Sequence, residues 1–312
     1  MTLTTQTNQI VRKKWSVAAS CFWLYQNKTH ASLRGSSMER TCKKGEKEMN
    51  EKTVFGTQEW AKYNENCISG CTHDCKYCYA KSIAIRMKRK TPDNWNIENI
   101  KNNKLAKSFR KRSGTFMFPT AHDITPNHLD ECLSFLENIL RPGNEVLVVS
   151  KPHLECISKI CDLLPQYKHH ILFRFTIGST DSAVIKFWEP GAPDFDERLA
   201  ALKYAFDMGY KTSVSCEPML DENIDELIFK VSPYVTDSIW LGKMNYPGAR
   251  LALNGTNDDA TLSTMNELMS IQSDGWIMEL YSRYKDNPQI KWKESIKKAV
   301  GLEIPMEKGL DV

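Results

Sequence analysis

The chain has 312 residues, of which 41% are hydrophobic, and 42 Lys and Arg against 38 Asp and Glu give a formal net charge of +4. This composition allows one large domain or two smaller ones, and no apolar run approaches the ~20 residues of a transmembrane helix. Ten cysteines in so long a chain exclude a small disulfide-rich scaffold. We therefore expect a cytoplasmic protein without a membrane partner.

Residues 1–48 differ in composition from the rest of the chain. They are rich in Thr, Ser and Lys and lack hydrophobic periodicity, which predicts either a disordered tail or an untranslated leader before a start at Met49. Without them the chain holds 33 basic and 35 acidic residues, so the overall charge is poor evidence for a nucleic-acid partner. The remaining basic charge is concentrated in residues 81–112, with eleven Lys and Arg against Asp93 and Glu98.

From residue 53 onward, short apolar runs alternate with helical patterns. The runs are rich in Val, Ile and Phe, which is typical of parallel strands buried on both faces. The predicted strands are Glu59–Asn64, Gly114–Phe118, Glu145–Ser150, Ile171–Ile177, Thr212–Glu217 and Ser238–Met244. The predicted helices are Leu129–Leu140, Leu154–Leu164, Asp196–Met208, Asn223–Val231, Thr261–Lys285 with an interruption at Gly275, and Pro288–Ala299.

This alternation predicts an α/β fold of six strand–helix units. Six units fit a partial (β/α)6 TIM-like barrel over residues 49–250, with a C-terminal helical extension over residues 251–312 packed on it. A doubly wound open sheet is the alternative, because periodicity alone does not decide between the two.

Four cysteines lie within twelve residues, and three of them have the spacing C-x3-C-x2-C at Cys71, Cys75 and Cys78. Three thiolates on one tight loop suit three corners of a [4Fe–4S] cluster, which leaves one iron open to another ligand. Gly70 gives the backbone freedom to turn before the first of them. The alternative is a zinc site with Cys67 or His73 as the fourth ligand.

The cysteine segment resembles the signature of the radical S-adenosylmethionine (radical SAM) superfamily. The sequence Tyr77-Cys78-Tyr79-Ala80 is similar to the branch that contains spore photoproduct lyase and the "DNA repair photolyase"-like proteins. A second segment, Glu189-Pro190-Gly191-Ala192-Pro193 followed by residues 195–202, resembles the E-P-x-A-P segment of the same branch. The resemblance covers roughly residues 60–245.

The resemblance implies a partial barrel that binds a [4Fe–4S] cluster and S-adenosyl-L-methionine at the C-terminal ends of its strands. An electron from a flavodoxin- or ferredoxin-type reductant would cleave S-adenosylmethionine to a 5′-deoxyadenosyl radical, which abstracts hydrogen from the substrate. The reaction would be of lyase or transferase type. With the basic segment, the resemblance suggests a nucleic-acid substrate. A non-catalytic, zinc-stabilised nucleic-acid-binding protein is the alternative.

The resemblance also suggests several cofactor-binding residues. Tyr77 precedes the last cysteine, Lys151 matches a lysine that contacts the S-adenosylmethionine carboxylate, and Thr176 matches a hydroxyl near its ribose. His122 and Asp123 match a polar pair near the same cofactor.

Two further candidates come from strand position. Arg174 shares the face of Thr176 and needs an anionic partner, for which we expect the cofactor or Glu217. Glu217 ends the fifth predicted strand, and an ion pair with Lys151 or Lys243 would also explain it.

The sequence departs from the lyase in one respect. The lyase has a hydrogen-donating cysteine beside its second-strand motif, and Ala121 stands at that position here. Cys132, Cys156 and Cys161 occupy apolar helical positions and are expected in the core. Reversal of a photoproduct is therefore not predicted.

Overall fold

The computed structural model describes residue 54 and residues 56–309, so the predictions for residues 1–48 lie outside the described residues. Its main sheet has seven parallel strands. In spatial order these are β1 (Tyr63–Asn64), β4 (Phe116–Phe118), β5 (Val146–Ser150), β6 (Ile171–Thr176), β7 (Lys211–Cys216), β8 (Ile239–Leu241) and β9 (Ile290–Trp292). A short antiparallel pair is formed by β2 (Ile68–Ser69) and β3 (Asn99–Ile100).

Helices connect the strands. In chain order they are α1 (Thr57–Trp60), α2 (Tyr79–Arg86), α3 (Asn102–Leu105), α4 (Leu129–Leu140), α5 (Leu154–Leu163), α6 (Ser182–Trp188), α7 (Phe195–Asp207), α8 (Ile224–Val231), α9 (Pro247–Asn254), α10 (Asp259–Ile271), α11 (Asp274–Tyr284) and α12 (Glu294–Val300). No helix in the described part of the chain is long and apolar enough to cross a membrane.

The order of the strands decides between the two predicted architectures. Each strand of the main sheet pairs with the next one along the chain, and the order never reverses. A doubly wound sheet requires such a reversal, because its halves grow in opposite directions from the centre. The predicted α/β class with a barrel-type parallel sheet is confirmed, with seven strands rather than six.

The two faces of the sheet form separate apolar layers, because side chains alternate along each strand. Val146, Val148, Phe173 and Phe175 point outward into the main core, which they share with helices such as α4. The inner face carries a smaller apolar group formed by Met117, Leu147, Val149, Leu172 and Trp240. Trp60 and Ala61 pack against this group. Helix α4 fits this scheme because its buried residues recur every three or four positions.

Two predicted elements differ from the structure at the ends of the described chain. Of the predicted strand Glu59–Asn64, only Tyr63–Asn64 is a strand, β1, whereas Glu59 and Trp60 belong to α1, where both are buried and Trp60 packs edge-on against Trp240 at a centroid distance of 5.5 Å. The last helix begins at Glu294 instead of Pro288. The preceding residues form β9, whose alternating burial places Ile290 and Trp292 in the main core.

A buried ion cluster joins the two edges of the sheet. Lys293 follows β9 and is 1% exposed. Its Nζ lies 2.9 Å from Oε1 of Glu59, in α1, and 3.4 Å from Oε2 of Glu217, after β7. The ammonium also lies 3.8 Å from the ring centre of Trp60. The C-terminal segment therefore packs into the barrel interior through this lysine.

Candidate active site

The three cysteines of the C-x3-C-x2-C motif lie in the loop between β2 and α2. Cys71 and Cys75 are buried and Cys78 is partly buried, and all three are free thiols. Cys78 is the N-cap of α2, where its Sγ accepts a hydrogen bond of 3.4 Å from the backbone N–H of Lys81. The loop turns at Gly70, which has φ of 97° and no room for a Cβ against the carbonyl oxygen of Ile97.

The chemistry of these thiols fits an iron–sulfur cluster. Burial raises the pKa of Cys71, Cys75 and Cys78 above the ordinary value, and only metal coordination would supply enough positive charge to hold all three as thiolates. In the described part of the chain, no three His, Cys, Asp or Glu side chains are grouped around one ion position. Cluster ligands need no such grouping, because each thiolate binds a different iron.

Both fourth ligands considered for zinc are engaged elsewhere. Cys67 is fully buried in the main core, with its Sγ 4.0 Å from Sγ of Cys132 and 3.9 Å from Nε2 of His122. Hydrogen bonding from Cys132 lowers the pKa of Cys67 to about 6. His73 is held by Asp123 and His153, as described below. As predicted, Cys132, Cys156 and Cys161 lie in the core.

The segment Glu189–Pro193 directly supports the cysteine loop, although the two are about 110 residues apart in the sequence. Gly191 donates its N–H to the carbonyl oxygen of His73 at 3.0 Å, and a Cβ there would collide with the carbonyl oxygen of Thr72. The backbone N–H of Lys76 donates to the carbonyl oxygen of Trp188 at 2.9 Å. The two motifs are therefore one structural unit.

Glu189 is the polar centre of this unit. It is fully buried, accepts hydrogen bonds from the Tyr77 hydroxyl and the Arg198 guanidinium, and lies 3.8 Å from Nζ of Lys151. Burial alone would raise the pKa of Glu189, but Arg198 and Lys151 outweigh it and hold the pKa below the ordinary value. The carboxylate therefore stays ionised. Glu189 and Arg198 belong to the second motif, yet sequence reasoning gave neither a role.

Lys151 follows β5 and points toward the cysteines. Burial lowers its pKa, but the negative charges of Cys75, Glu189 and Asp123 outweigh that effect, and the pKa lies above the ordinary value. Its Nζ lies 5.8 Å from the ring centre of Tyr77. The predicted ion pair with Glu217 is wrong, because Glu189 is the nearer carboxylate.

Asp123 follows β4 and links the end of β5 to the cysteine loop. It accepts hydrogen bonds from the Ser150 hydroxyl and from the backbone N–H of Lys151 at 2.9 Å, and its Oδ2 lies 3.2 Å from Nδ1 of His73. Burial would raise the pKa of Asp123, but His73, Lys151 and Ser150 together hold it below the ordinary value. The residue therefore orients the histidine between the first two cysteines.

A chain of polar contacts continues from His73 to the surface. Its Nε2 lies 3.0 Å from Nε2 of His153, whose Nδ1 lies 3.5 Å from Oε1 of Glu197. His153 and Glu197 line an open surface cleft. Sequence reasoning missed this chain, because His153 and Glu197 lie far from the cysteine motif in sequence.

The other predicted cofactor residues have different surroundings. Thr176 is buried at the end of β6, and its carbonyl oxygen accepts a 3.0 Å hydrogen bond from Arg198. His122 is buried away from this group, where its Nε2 accepts a 3.3 Å hydrogen bond from the N–H of Cys67 and its Nδ1 lies 2.8 Å from the carbonyl oxygen of Asp123. His122 therefore braces the strand leading into the loop.

The ion pairs of Arg174 and Glu217 differ from those expected within the protein. Arg174 lies on the inner face between the rings of Trp60 and Trp240, and it pairs with Asp237, which precedes β8, at 3.3 Å instead of with Glu217. Glu217 pairs with Lys293, and Lys243 pairs with Asp274 at 3.3 Å.

Helix α9 adds residues that sequence reasoning missed. The side-chain amide of Asn254 donates to the carbonyl oxygens of Lys76 and Cys78, at 2.8 and 3.0 Å, and its oxygen accepts from the Ser82 hydroxyl. One turn earlier, Arg250 is half-buried, and the charged groups around it include Glu217 and Cys78. No motif in the sequence indicated either residue.

The family comparison matches residues 66–229, slightly more than half of the chain, to the radical SAM superfamily. The uncharacterized protein ORF301 of Acidianus two-tailed virus is 25% identical over 170 residues, covering 51% of this chain and 56% of that protein. The uncharacterized protein MJ0683 of Methanocaldococcus jannaschii is 27% identical over 169 residues, covering 53% and 63%. The chain thus spans about three fifths of the length of these relatives.

Solved structures share the fold at low identity. A mutant of spore photoproduct lyase superposes with a TM-score of 0.50 at 14% identity, covering 78% of this chain and 79% of the other. SuiB of Streptococcus suis, bound to S-adenosylmethionine, gives a TM-score of 0.42 at 13% identity, covering 97% and 65%. These values describe a likeness of fold alone.

Proposed function

Because the chain belongs to the radical SAM superfamily, we propose that it is an enzyme with a [4Fe–4S] cluster on Cys71, Cys75 and Cys78. The observation that carries this proposal is the loop itself, with three free cysteines at C-x3-C-x2-C spacing braced by Glu189–Pro193. When bound, the cluster and S-adenosylmethionine supply reductive cleavage to a 5′-deoxyadenosyl radical that abstracts hydrogen from a substrate.

Tyr77, Glu189 and Lys151 form the polar wall next to the cysteines. Glu189 is ionised and fully buried, so it fixes the Tyr77 hydroxyl and keeps the Lys151 ammonium beside the loop. That ammonium is the group we assign to the carboxylate of S-adenosylmethionine. Thr176, at the next strand end, is assigned to its ribose side.

Asp123 and His73 fix the loop rather than the cofactor. Asp123 accepts hydrogen bonds from Ser150, the last residue of β5, and from the N–H of Lys151, and it holds His73 in place, so the first two cysteines are oriented by neighbouring strand ends. Arg250 has Glu217 and Cys78 among the groups that act on its charge. We assign Arg250 and Glu217 to the substrate side of the site.

A nucleic acid is the substrate class that we propose. Arg250 supplies a half-buried cation, and the exposed rings of Tyr79 and Tyr246 follow Cys78 and β8 respectively. A guanidinium for phosphate and aromatic rings for stacking are the groups that bind single-stranded or extruded bases. Ala121, which stands at the position that resembles the lyase's donor, packs against the small cluster that contains Cys71. Because alanine has no thiol, we propose a different net reaction.

The direct test is anaerobic reconstitution with iron and sulfide, followed by an assay for cleavage of S-adenosylmethionine under dithionite. We expect cleavage by the wild-type protein, stimulated by single-stranded DNA or RNA and not by peptide. Stimulation by peptide alone would contradict the proposed substrate class. Binding of colourless zinc in place of a brown cluster would contradict the enzyme and favour the zinc-stabilised alternative.

A further inference from the structure

Basic residues surround an exposed apolar strip at the end of α2. Ile83 and Met87 lie four residues apart on the outer side of this helix and are 37% and 61% exposed. Arg86, Lys88 and Arg89 next to them are exposed, and none of the three forms an ion pair within the described residues. We call these five residues the α2 patch.

The charge of the α2 patch is not neutralised by its surroundings. Burial and the nearby cations Arg89 and Lys104 lower the pKa of Lys101, so positive charges repel one another here. Glu98 is a half-buried carboxylate nearby in the sequence that accepts hydrogen bonds from Thr72 and Thr125, and within the described residues it forms no ion pair with Arg86, Lys88 or Arg89. The patch therefore presents a net positive surface with an apolar centre.

Helix α2 connects the patch to the cysteine loop. The inner face of the helix carries Ala80 and Ala84, which pack with Cys71 and Trp95. The helix runs from Tyr79 to Arg86 with Cys78 as its N-cap, so Arg86 lies ~12 Å along the helix axis from the third cysteine at 1.5 Å per residue. Small side chains on the inner face keep this path short.

We propose that the α2 patch is the docking surface for an acidic one-electron carrier, a flavin or iron–sulfur protein, that reduces the cluster. The inference rests on the proposed function, because a cluster that cleaves S-adenosylmethionine reductively must receive an electron from outside the chain. One electron leaves the reduced carrier and enters the cluster, and no bond forms or breaks in that step. A small apolar centre with a ring of like charges suits a transient complex that electrostatic steering brings together.

A second basic cluster provides the matched control. Arg110, Lys111 and Arg112 are also exposed, but they precede β4 and lie at the N-terminal ends of the strands, opposite the cysteines. Charge reversal at these positions changes the net charge of the protein by the same amount. The comparison therefore separates an effect of the α2 patch itself from an effect of the changed net charge.

The experiment measures cluster reduction in the reconstituted full chain, with reduced acidic flavodoxin and with dithionite. We expect the triple variant Arg86→Glu, Lys88→Glu, Arg89→Glu to be reduced roughly tenfold or more slowly by flavodoxin, with loss of the salt dependence. Dithionite is small and needs no docking, so its rate should be unchanged. The triple variant Arg110→Glu, Lys111→Glu, Arg112→Glu should match wild type with both reductants.

Two outcomes would overturn the docking surface. The first is an unchanged flavodoxin rate in the Arg86, Lys88 and Arg89 variant, and loss of DNA binding in the same variant would then assign the patch to nucleic acid. The second is slower reduction by both reductants that recurs when the same three residues are changed to Gln, which would show that these residues act on the cluster site. A wild-type protein that forms no cluster would instead contradict the proposed function.

Discussion

Lys151 is the residue on which the cofactor assignment depends most. Its ammonium lies beside Glu189 and near Cys75 and Asp123, and these neighbours raise its pKa, so it remains protonated despite burial. Two roles follow from this position. The lysine either binds an incoming carboxylate or serves only to neutralise Glu189.

If Lys151 holds the carboxylate of S-adenosylmethionine, Lys151→Ala should weaken its binding roughly ten- to a hundredfold while the cluster still assembles. Lys151→Arg should restore binding only in part, because a forked guanidinium does not match a site for a compact charge. Isothermal titration of the reconstituted protein measures both effects.

Lys243→Ala is the control for this prediction. Lys243 also follows a strand end, but its ion pair with Asp274 lies at the surface. It should bind S-adenosylmethionine like the wild type. Equal loss of melting temperature in Lys151→Ala and Glu189→Gln, with unchanged affinity in Lys151→Ala, would leave the lysine with a structural role only.

At the level of elements, the start of α5 is tied to the cysteine loop through His153 and His73. Burial lowers the pKa of His153 below its ordinary value of 6.5, and the nearby His73 adds to this effect. The unfolded chain therefore binds a proton at this residue more readily than the folded chain does. The neutral form of His153 therefore contributes fully to the free energy of unfolding above pH 6.5, the pKa in the unfolded chain. This contribution is lost as the pH falls from 6.5 through the lower pKa that His153 has in the folded chain.

We therefore expect the melting temperature to fall between about pH 7 and 5, and to fall less steeply in His153→Gln. An amide keeps a hydrogen-bonding group next to His73 but does not titrate. His169→Gln changes an exposed histidine and should keep the wild-type slope. If melting temperature falls equally steeply with pH in wild type and in His153→Gln, another group is responsible for the loss of stability at low pH.

Sequence patterns predicted elements whose signal is local. Helix α4 is predicted to the residue, because its apolar period lies within the segment Leu129–Leu140 and a helix-stopping Pro-Gly pair follows it directly at residues 142–143. The ion pairs of Arg174 and Glu217 within the protein differ from those expected, because an ion pair across a barrel depends on which side chains fill its interior. The cysteine spacing and the Glu189–Pro193 segment were recognised separately, but only the fold brings them into contact.

At the scale of the whole molecule, Lys293 links the two edges of the partial barrel, which are formed by β1 and β9. Lys293→Met should destabilise the protein by about 3–5 kcal/mol, because Glu59 would stay buried without its cation. Glu59 is 2% exposed, and burial already raises its pKa. Adding Glu59→Gln to Lys293→Met should recover much of the lost free energy of unfolding. Urea unfolding of the two variants measures the difference.

Lys298→Met serves as the surface control for that series. Lys298 pairs with Glu294 on the outside of α12, and its removal should cost less than about 1 kcal/mol. A similarly small loss in Lys293→Met would mean that the ion cluster does not hold the C-terminal segment in the barrel.

The central claim is that Cys71, Cys75 and Cys78, and not Cys67, bind the cluster. The most direct measurement is the iron content and visible absorbance of anaerobically reconstituted single Cys→Ala variants. We predict about one four-iron cluster in wild type and in Cys67→Ala, because Cys67 packs in the core beside Cys132. Each of the other three variants should lose the absorbance, since two thiolates cannot hold the cluster in place. Loss of the cluster in Cys67→Ala with retention in Cys71→Ala would contradict the account.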